Sequence, residues 1–344
     1  MTTTLQSSDL QHLPLAGEAQ LAALLQAAGV SAVDDTGWIR VTGEDRLRWL
    51  NGMVTNSIQE LAPGQGCYNF VLNAQGRIQG DLTAFRVEDS ILLQTSRDQV
   101  EKLLAHLNHF IIMDDVELAE IGDERAGIRL DGPKAAQLVS AIDISSKDDL
   151  EPLELVHVKW HSASIDLIHA HSPLIPKFEI WSDAVTIGVV LDQLIAAGAT
   201  PVSSEALEQL RILEGTPRYG VDIRNTETAH DLPQETGQTR ALHFTKGCYL
   251  GQEIVERIHS RGTVHRAFTG FLLTGVLPAT GTLLEAEGKP VAELTSVAAI
   301  PLVDRATPVQ LALGIIRREA LDRKLPMNYP GGVATPIALP YEVP

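Results

Sequence analysis

Residues 232–266, LPQETGQTRALHFTKGCYLGQEIVERIHSRGTVHR, set a cysteine between two glycines and beside a lysine, just before the chain changes texture. Gly247 and Gly251 open turns closed to other residues, and 252–258 (QEIVERI) reads as helix. Cys248 then stands just ahead of a helix N-terminus, where unpaired N–H groups and the helix dipole favour an anion. Lys246 adds a full positive charge two residues away. Both effects favour thiolate, the form that attacks electrophiles and binds soft metals. The competing reading is a buried, inert cysteine, because free Cys is among the most buried residue types. Beyond Gly262 helical patterns nearly vanish. Segments 267–273, 290–299 and 311–317 read as strands broken by Gly and Pro, which predicts a small antiparallel β-barrel or sandwich.

Upstream, apolar residues have helical spacing at 18–28 and a strand is expected at 37–41. Thr42 with Asp45 fits a capping box opening a helix that carries Leu47, Leu50 and Val54 on one face. Segments 67–72, 77–87 and 90–94 read as an antiparallel meander with a turn at 73–76. A helix at 97–111 places Val100, Leu103, Leu104 and Leu107 on one side. A second block repeats the mixture: strands near 116–121 and 127–130, a helix at 133–142, strands at 153–158, 164–169 and 178–181, a helix at 183–197, and one running to Leu213 capped by Ser203. The pattern is α+β with antiparallel strands and not a βαβ wind. At 344 residues the chain exceeds the usual size of one core. The expected division is a polar segment and helix at 1–30, an α+β region at 31–262 and a barrel at 263–344.

Composition narrows the function classes. The 44 acidic against 27 basic residues give a formal charge of −17, which repels phosphate backbones and argues against general nucleic-acid binding. The two cysteines, Cys67 and Cys248, lie far apart and show no metal-site spacing, so no disulfide framework and no metal centre are expected, and a reducing cytoplasm is. Neither an export signal nor a membrane span is evident. Within this acidic chain, 246–266 gathers Lys246, Arg257, Arg261 and Arg266 against Glu253 and Glu256, with His259 and His265 nearby. That cluster suits an anionic ligand; the plainer reading is a solvated helix face. His243 beside Cys248 forms a dyad only if the loop folds back, which spacing does not decide.

The string K-G-C-Y-x-G-Q-E followed by R-G-x-x-x-R closely resembles the signature of the YgfZ family, relatives of the glycine-cleavage T-protein. Weaker resemblance runs from about Asp34 to the end of the chain. The resemblance implies a T-protein-like fold, with two intertwined folate-binding lobes built on antiparallel sheets and a C-terminal antiparallel β-barrel. It also implies tetrahydrofolate or a one-carbon derivative as cofactor, and a link to assembly or repair of iron-sulfur enzymes, with those enzymes as partners.

In T-protein relatives an aspartate at the end of a G-x-x-x-D-L stretch faces the pterin ring, and Asp81 in G-R-I-Q-G-D-L matches it. Glu179 in F-E-I-W stands where the family often places a carboxylate gripping the pterin; alternation with Phe178 and Ile180 equally allows an exposed strand residue. Tyr249 and Tyr219 can stack on a ring or simply pack. Gln252 and Glu253 follow the thiol and can bond the ligand or cap the helix, and Arg266 completes the cofactor set. Arg211, Glu214, Gly215 and Tyr219 match the family's R-L-E-x-G stretch, where an ion pair or helix cap is expected. Cys248 with Lys246 carries the expected chemistry. Three functions compete: a folate-dependent maintenance factor for iron-sulfur enzymes acting through Cys248, an aminomethyltransferase using Asp81, and a noncatalytic folate-binding adaptor. The signature belongs to the first, which makes a maturation factor on a transferase fold the leading reading.

Overall fold

The computed structural model describes residues 17–144, 150–225, 231–262, 264–303 and 305–343; the polar segment expected at 1–16 lies outside them. Helix α1 (Gly17–Gln26) leads into β1 (Gly29–Ala32), and the chain then builds a different sheet. That sheet contains β2 (Thr36–Thr42), β3 (Gly66–Leu72), β4 (Ile78–Arg86), β5 (Ile91–Ser96) and β6 (Glu117–Glu120), with helices α2 (Arg46–Met53) and α3 (Val100–Asn108) between them. The chain returns to the sheet of β1 with β7 (Ala126–Asp131), α4 (Ala135–Ala141), β8 (Glu154–Trp160), β9 (Ala163–Ala170), β10 (Lys177–Ser182), α5 (Ala184–Ala196) and β11 (Thr200–Pro201). Strand orders are β11-β1-β7-β10-β9-β8 in the six-stranded sheet and β3-β4-β5-β2-β6 in the five-stranded one. Because β1 and β2 belong to different sheets, the two lobes interleave.

Alternation of period two decides what each strand faces. Phe178 and Ile180 of β10, with Ile128 and Leu130 of β7, pack on Val139 of α4 and Ile187 and Val190 of α5. In the five-stranded sheet, Ile39, Val41, Ile91 and Leu93 meet Leu50 of α2 and Val100 and Leu103 of α3. The remaining faces turn toward each other. Trp38, Phe85 and Leu92 from one sheet join Leu155, Ile168 and Trp181 from the other in a shared core, with the Trp38 and Trp181 rings edge to face at 5.1 Å. The chain therefore stacks helices, sheet, sheet and helices.

Two helix starts follow from their caps. Asp183 accepts from the N–H groups of Val185 and Thr186 at 3.0 Å, opening α5, and Ser203 Oγ accepts from Ala206 N at 3.4 Å, opening α6 (Ser204–Glu214). The capping box expected of Thr42 and Asp45 is absent. Thr42 ends β2, and Asp45, though it precedes α2, turns its carboxylate to Asp115 N at 3.0 Å and to Arg48. The long-range bond to the 115 loop has taken the acceptor that a local cap would have used.

Helix α7 (Gln252–Arg261) precedes a closed barrel of β12 (Arg266–Gly275), β13 (Leu283–Ala286), β14 (Lys289–Ile300), β15 (Val309–Arg317), β16 (Met327–Tyr329) and β17 (Gly332–Ile337), with a short α8 (Arg318–Asp322). Phe271, Leu284, Leu294, Ala312, Ile316 and Met327 fill one core of this unit. Neighbours in β15 on the other face, Leu311 and Leu313, pack with Leu21 and Leu24 of α1 and Leu210 and Leu213 of α6. The barrel is thus joined to the α+β lobes through α1 and α6. Among the described residues no helix is long and apolar enough to cross a membrane.

Candidate functional site

Where the shared apolar core between the sheets ends, a cavity of about 530 Å³ opens, adjoined by a second of about 280 Å³. Tyr68, Gln94, Arg129 and Glu179 line both; Asp81 lines the smaller, and Asp131, Lys177, His171 and Arg240 line the larger. The same alternation that sends Phe178 and Ile180 into the helix-side core places Lys177, Glu179 and Trp181 on this face. Across the β7–β10 pairing, Arg129 stands opposite Glu179 and Asp131 opposite Lys177, so two acid-base pairs with reversed order form part of the wall.

Asp81 is held from both sides. Tyr68 Oη donates to Oδ2 at 2.6 Å, Gln99 Nε2 donates to Oδ1 at 2.8 Å, and Asp81 N donates to Gln99 Oε1 at 3.0 Å. Burial pushes its carboxyl above the usual range, while the Tyr68 and Gln99 hydrogen bonds pull the other way. The Arg240 guanidinium lies on the Tyr68 ring, 4.2 Å from its centroid, and its Nε donates to Gln238 at 3.1 Å. Glu179 is 5% exposed; its Oε2 accepts from Gln94 Nε2 at 2.5 Å and Trp181 Nε1 at 3.0 Å, and Arg129 lies 3.6 Å from Oε1. The face of β10 that alternation left open to solvent is covered by the other sheet. His171 is driven by burial to a pKa of about 4, with the Arg240 charge adding to the effect.

The glycine-cysteine loop lies elsewhere. Lys246 points inward, its ammonium donating to the carbonyls of Asn51, Val54 and Asn56 at 2.6, 2.7 and 2.6 Å and sitting 5.0 Å from the Tyr249 ring centroid. All three N–H donors are used there. The cation expected to favour a Cys248 thiolate is thus directed into a carbonyl cage, and the thiol it does act on is Cys67, which burial nonetheless pushes up to about 11. Tyr249 is buried with Phe70, Leu72, Ile78 and Val255. Gly251 has φ +83°, and a Cβ there would come within 2.5 Å of the Asn73 carbonyl oxygen, so this turn needs glycine. Between these anchors Cys248 is exposed, and it does not line the inter-sheet cavity.

The other candidates of the signature are placed with the loop. Gln252 Oε1 accepts from Tyr249 N at 3.3 Å, and Glu253 is exposed in the first turn of α7. Arg266 donates to Glu235 through Nε at 3.0 Å and Nη2 at 2.7 Å, with Asp231 at 3.2 Å, so the anion it grips is part of this chain. His243 faces Glu60 at 3.3 Å. Tyr219 Oη donates to Gln79 O at 2.6 Å and accepts from Lys102, and the residue lines the smaller cavity. No metal-binding cluster of His, Cys, Asp and Glu occurs among the described residues. The structure therefore brings Asp81 and Glu179 together and sets Cys248, Lys246, Tyr249, Gln252, Glu253 and Arg266 apart from them.

Comparison with known proteins places this architecture. The GCVT N-terminal domain family (GCV_T) matches residues 14–246. The chain belongs to that family. It is 27% identical over 289 residues to the "tRNA-modifying protein YgfZ" of Hamiltonella defensa, covering 83% of this chain and 82% of that protein. It is 27% identical over 271 residues to the "Putative transferase At1g60990, chloroplastic" of Arabidopsis thaliana, covering 78% of this chain, and 30% identical over 217 residues to an aminomethyltransferase of Deinococcus deserti, covering 61%. The matched regions span 62% and 59% of those two proteins. The crystal structure of glycine cleavage system aminomethyltransferase T from Bartonella henselae superposes with a TM-score of 0.82 at 19% identity, covering 96% of this chain and 90% of that one. The fold is that of the T-protein, and the chain is a YgfZ-like relative of it. The family match ends at Lys246, two residues short of Cys248.

Within this GCVT-family fold, sequence reasoning overlooked Tyr68, Gln99, Arg129, Asp131 and Arg240. The alternation G-I-R-L-D in β7 was the available signal for two of them. Asp131 is 1% exposed, and burial pushes its carboxyl up to about 6, opposed by Lys177 and Arg129 and reinforced by Glu214 and Glu179. Its ordinary value is 3.8, so the folded state holds extra proton between the two values. The stability this group contributes is present below about pH 4 and lost as pH rises through about 6. Asp131→Asn removes that loss. Urea unfolding of both proteins is expected to show the variant gaining about 2–3 kcal/mol on the parent between pH 4 and pH 8.

Proposed function

We propose that this chain binds a tetrahydrofolate between its two sheets and uses Cys248 in the maintenance of iron-sulfur enzymes. The arrangement of the signature loop carries the reading: Lys246 and Tyr249 anchor it inward and leave one thiol displayed at the surface. A thiol held in that way is accessible to a partner protein or its cluster, and sulfur suits soft metal ions. Membership in the GCVT family and the T-protein fold support folate as the ligand. The cavity residues fit such a group: its volume of about 530 Å³ is in the usual range for small ligands, with carboxylates for N–H donors, the Tyr68 ring and the Arg240 cation. Asp81 and Glu179 would hold the ring, and Arg240 would take a carboxylate. A bound folate supplies a one-carbon carrier; the chain's own part is to orient it and restrict water around it.

Aminomethyl transfer is the alternative, favoured by the names of several relatives. Robust glycine-cleavage turnover with a lipoylated carrier protein would establish that reading against ours. The Hamiltonella relative is named for tRNA modification. With a net charge of −17 this chain is poorly suited to general RNA binding, so we read any such link as running through a client enzyme.

The test is complementation of a strain lacking the gene. Cys248→Ala is expected to lose rescue of cluster-enzyme activity, while tetrahydrofolate affinity stays within about twofold and unfolding free energy within about 0.5 kcal/mol, as for other surface substitutions. Full rescue by the alanine variant removes Cys248 from the function.

A further inference from the structure

Carboxylates facing the inter-sheet cavity differ in how much of their hydrogen-bonding capacity is committed. Asp81 accepts at both oxygens, from Tyr68 and Gln99. Glu179 accepts two bonds at Oε2 and faces Arg129 with Oε1. Asp131 is the contrast. It is 1% exposed, it lines the larger cavity, and neither of its oxygens has a hydrogen-bond partner among the described residues. Lys177 stands opposite it on β10, yet that ammonium is directed to Glu214 at 3.5 Å. On the neighbouring strand β1, Ser31 lines the same cavity and its buried Oγ is likewise without a partner.

Burying acceptors without donors is destabilising, and buried polar groups in proteins are paired with few exceptions. An exception aimed into a cavity points to a ligand. The position is fixed by the fold, since Ile128 and Leu130 occupy the helix-side core and leave Arg129 and Asp131 on the cavity face. A carboxylate with two open oxygens matches two parallel N–H donors.

We infer that Asp131 is the acceptor subsite for the N–H edge of the ligand, an amidine-like pair of donors such as that of a 2-amino-4-oxopyrimidine ring, with Ser31 Oγ available to a neighbouring polar atom. The inference deepens the folate reading and depends on it only for the identity of the ligand. In it, Asp81 and Glu179, although bonded within the chain, still hold the ring from the cavity wall, and Asp131, with both oxygens open, adds the contact that reads the donor pattern.

The test titrates the full chain with two probes, tetrahydrofolate and isocytosine, which carries the donor edge alone. Wild type is expected to bind both, and Asp131→Asn to weaken both at least tenfold, since the amide replaces one acceptor with a donor. Asp131→Leu checks the same loss without a new donor, and circular dichroism verifies that each variant is folded. If the variants bind as wild type does, or if wild type binds neither probe, the assignment is overturned. Asp131-dependent binding of isocytosine without binding of tetrahydrofolate keeps the subsite and defeats the folate reading instead. Binding of tetrahydrofolate that is indifferent to Asp131 does the reverse.

Discussion

Lys246→Met is expected to lower the unfolding free energy by about 3–5 kcal/mol, because it strips donors from three backbone carbonyls and an unsatisfied buried acceptor costs about 1–3 kcal/mol. Those carbonyls belong to Asn51, Val54 and Asn56, where the chain leaves α2 and turns toward β3. Two forces act on the ammonium: burial drives its pKa down to about 7, and a cage of three acceptors favours the form that has three N–H groups. A neutral amine has only two. Lys246→Arg is not expected to rescue, since a planar guanidinium cannot aim donors at three converging carbonyls. The measurement is urea unfolding at pH 7; a loss below about 1 kcal/mol would show that the cage contributes little to the fold. The result also separates two roles within the signature. Loss of activity on changing Lys246 would then reflect a collapsed loop, whereas loss on changing Cys248 would reflect the thiol.

Asp222→Ala is the second large effect, expected to cost about 3–5 kcal/mol through the loss of one partner of a buried ion pair. The Asp222 side chain is fully buried; it accepts from Arg211 Nη1 at 2.6 Å, Arg218 N at 2.9 Å, Ser296 Oγ at 2.8 Å and Thr295 Oγ1. Thr295 and Ser296 lie at a bulge in β14, where the register against β15 shifts between Leu294 and Ser296. A bulge re-aims side chains, and here both hydroxyls reach one carboxylate. Asp222 therefore fastens the barrel to α6 through Arg211, and α6 forms part of the cavity wall. Arg211 also donates to Glu208, at 2.8 and 2.7 Å, and because that pair does not involve Asp222 it is expected to persist in the variant and keep the cost from rising further. Calorimetry that leaves the melting transition of Asp222→Ala unchanged would refute the clasp.

Local chemistry was legible where local residues decide it. Ser203 read as a cap because Ser before a helical run has few other uses, and the strands of the first meander read from their alternation and turns. Thr42 and Asp45 misled because Asp45 is used by residue 115, some seventy positions away, and no local pattern carries that contact. Of the barrel, β12, β14 and β15 had readable runs, whereas Leu283–Ala286, Met327–Tyr329 and Gly332–Ile337 are short and depend on closure for their pairing.

At the site the missing information was layering. F-E-I-W showed that Glu179 opposes Phe178 and Ile180, and sequence could not show that a second sheet covers the face it occupies. The same gap hid Arg129 and Asp131, and Tyr68 and Arg240 come together only when β3 meets the 239–241 turn. In 246–253 the glycines signal backbone freedom, and Gly247 and Gly251 use it with φ of +96° and +83°. The direction of the Lys246 side chain depends on residues about 190 positions upstream and was beyond reach.

In the function proposed for this chain the ligand lies between the two sheets, with Cys248 outside the site. A crystal structure of the tetrahydrofolate complex tests this most directly. Density is expected against Tyr68, Glu179 and Asp131, with the Cys248 sulfur still at the surface and out of contact. Density lodged instead beside Cys248 and α7, or an inter-sheet cavity left without ligand under saturating tetrahydrofolate, would contradict it.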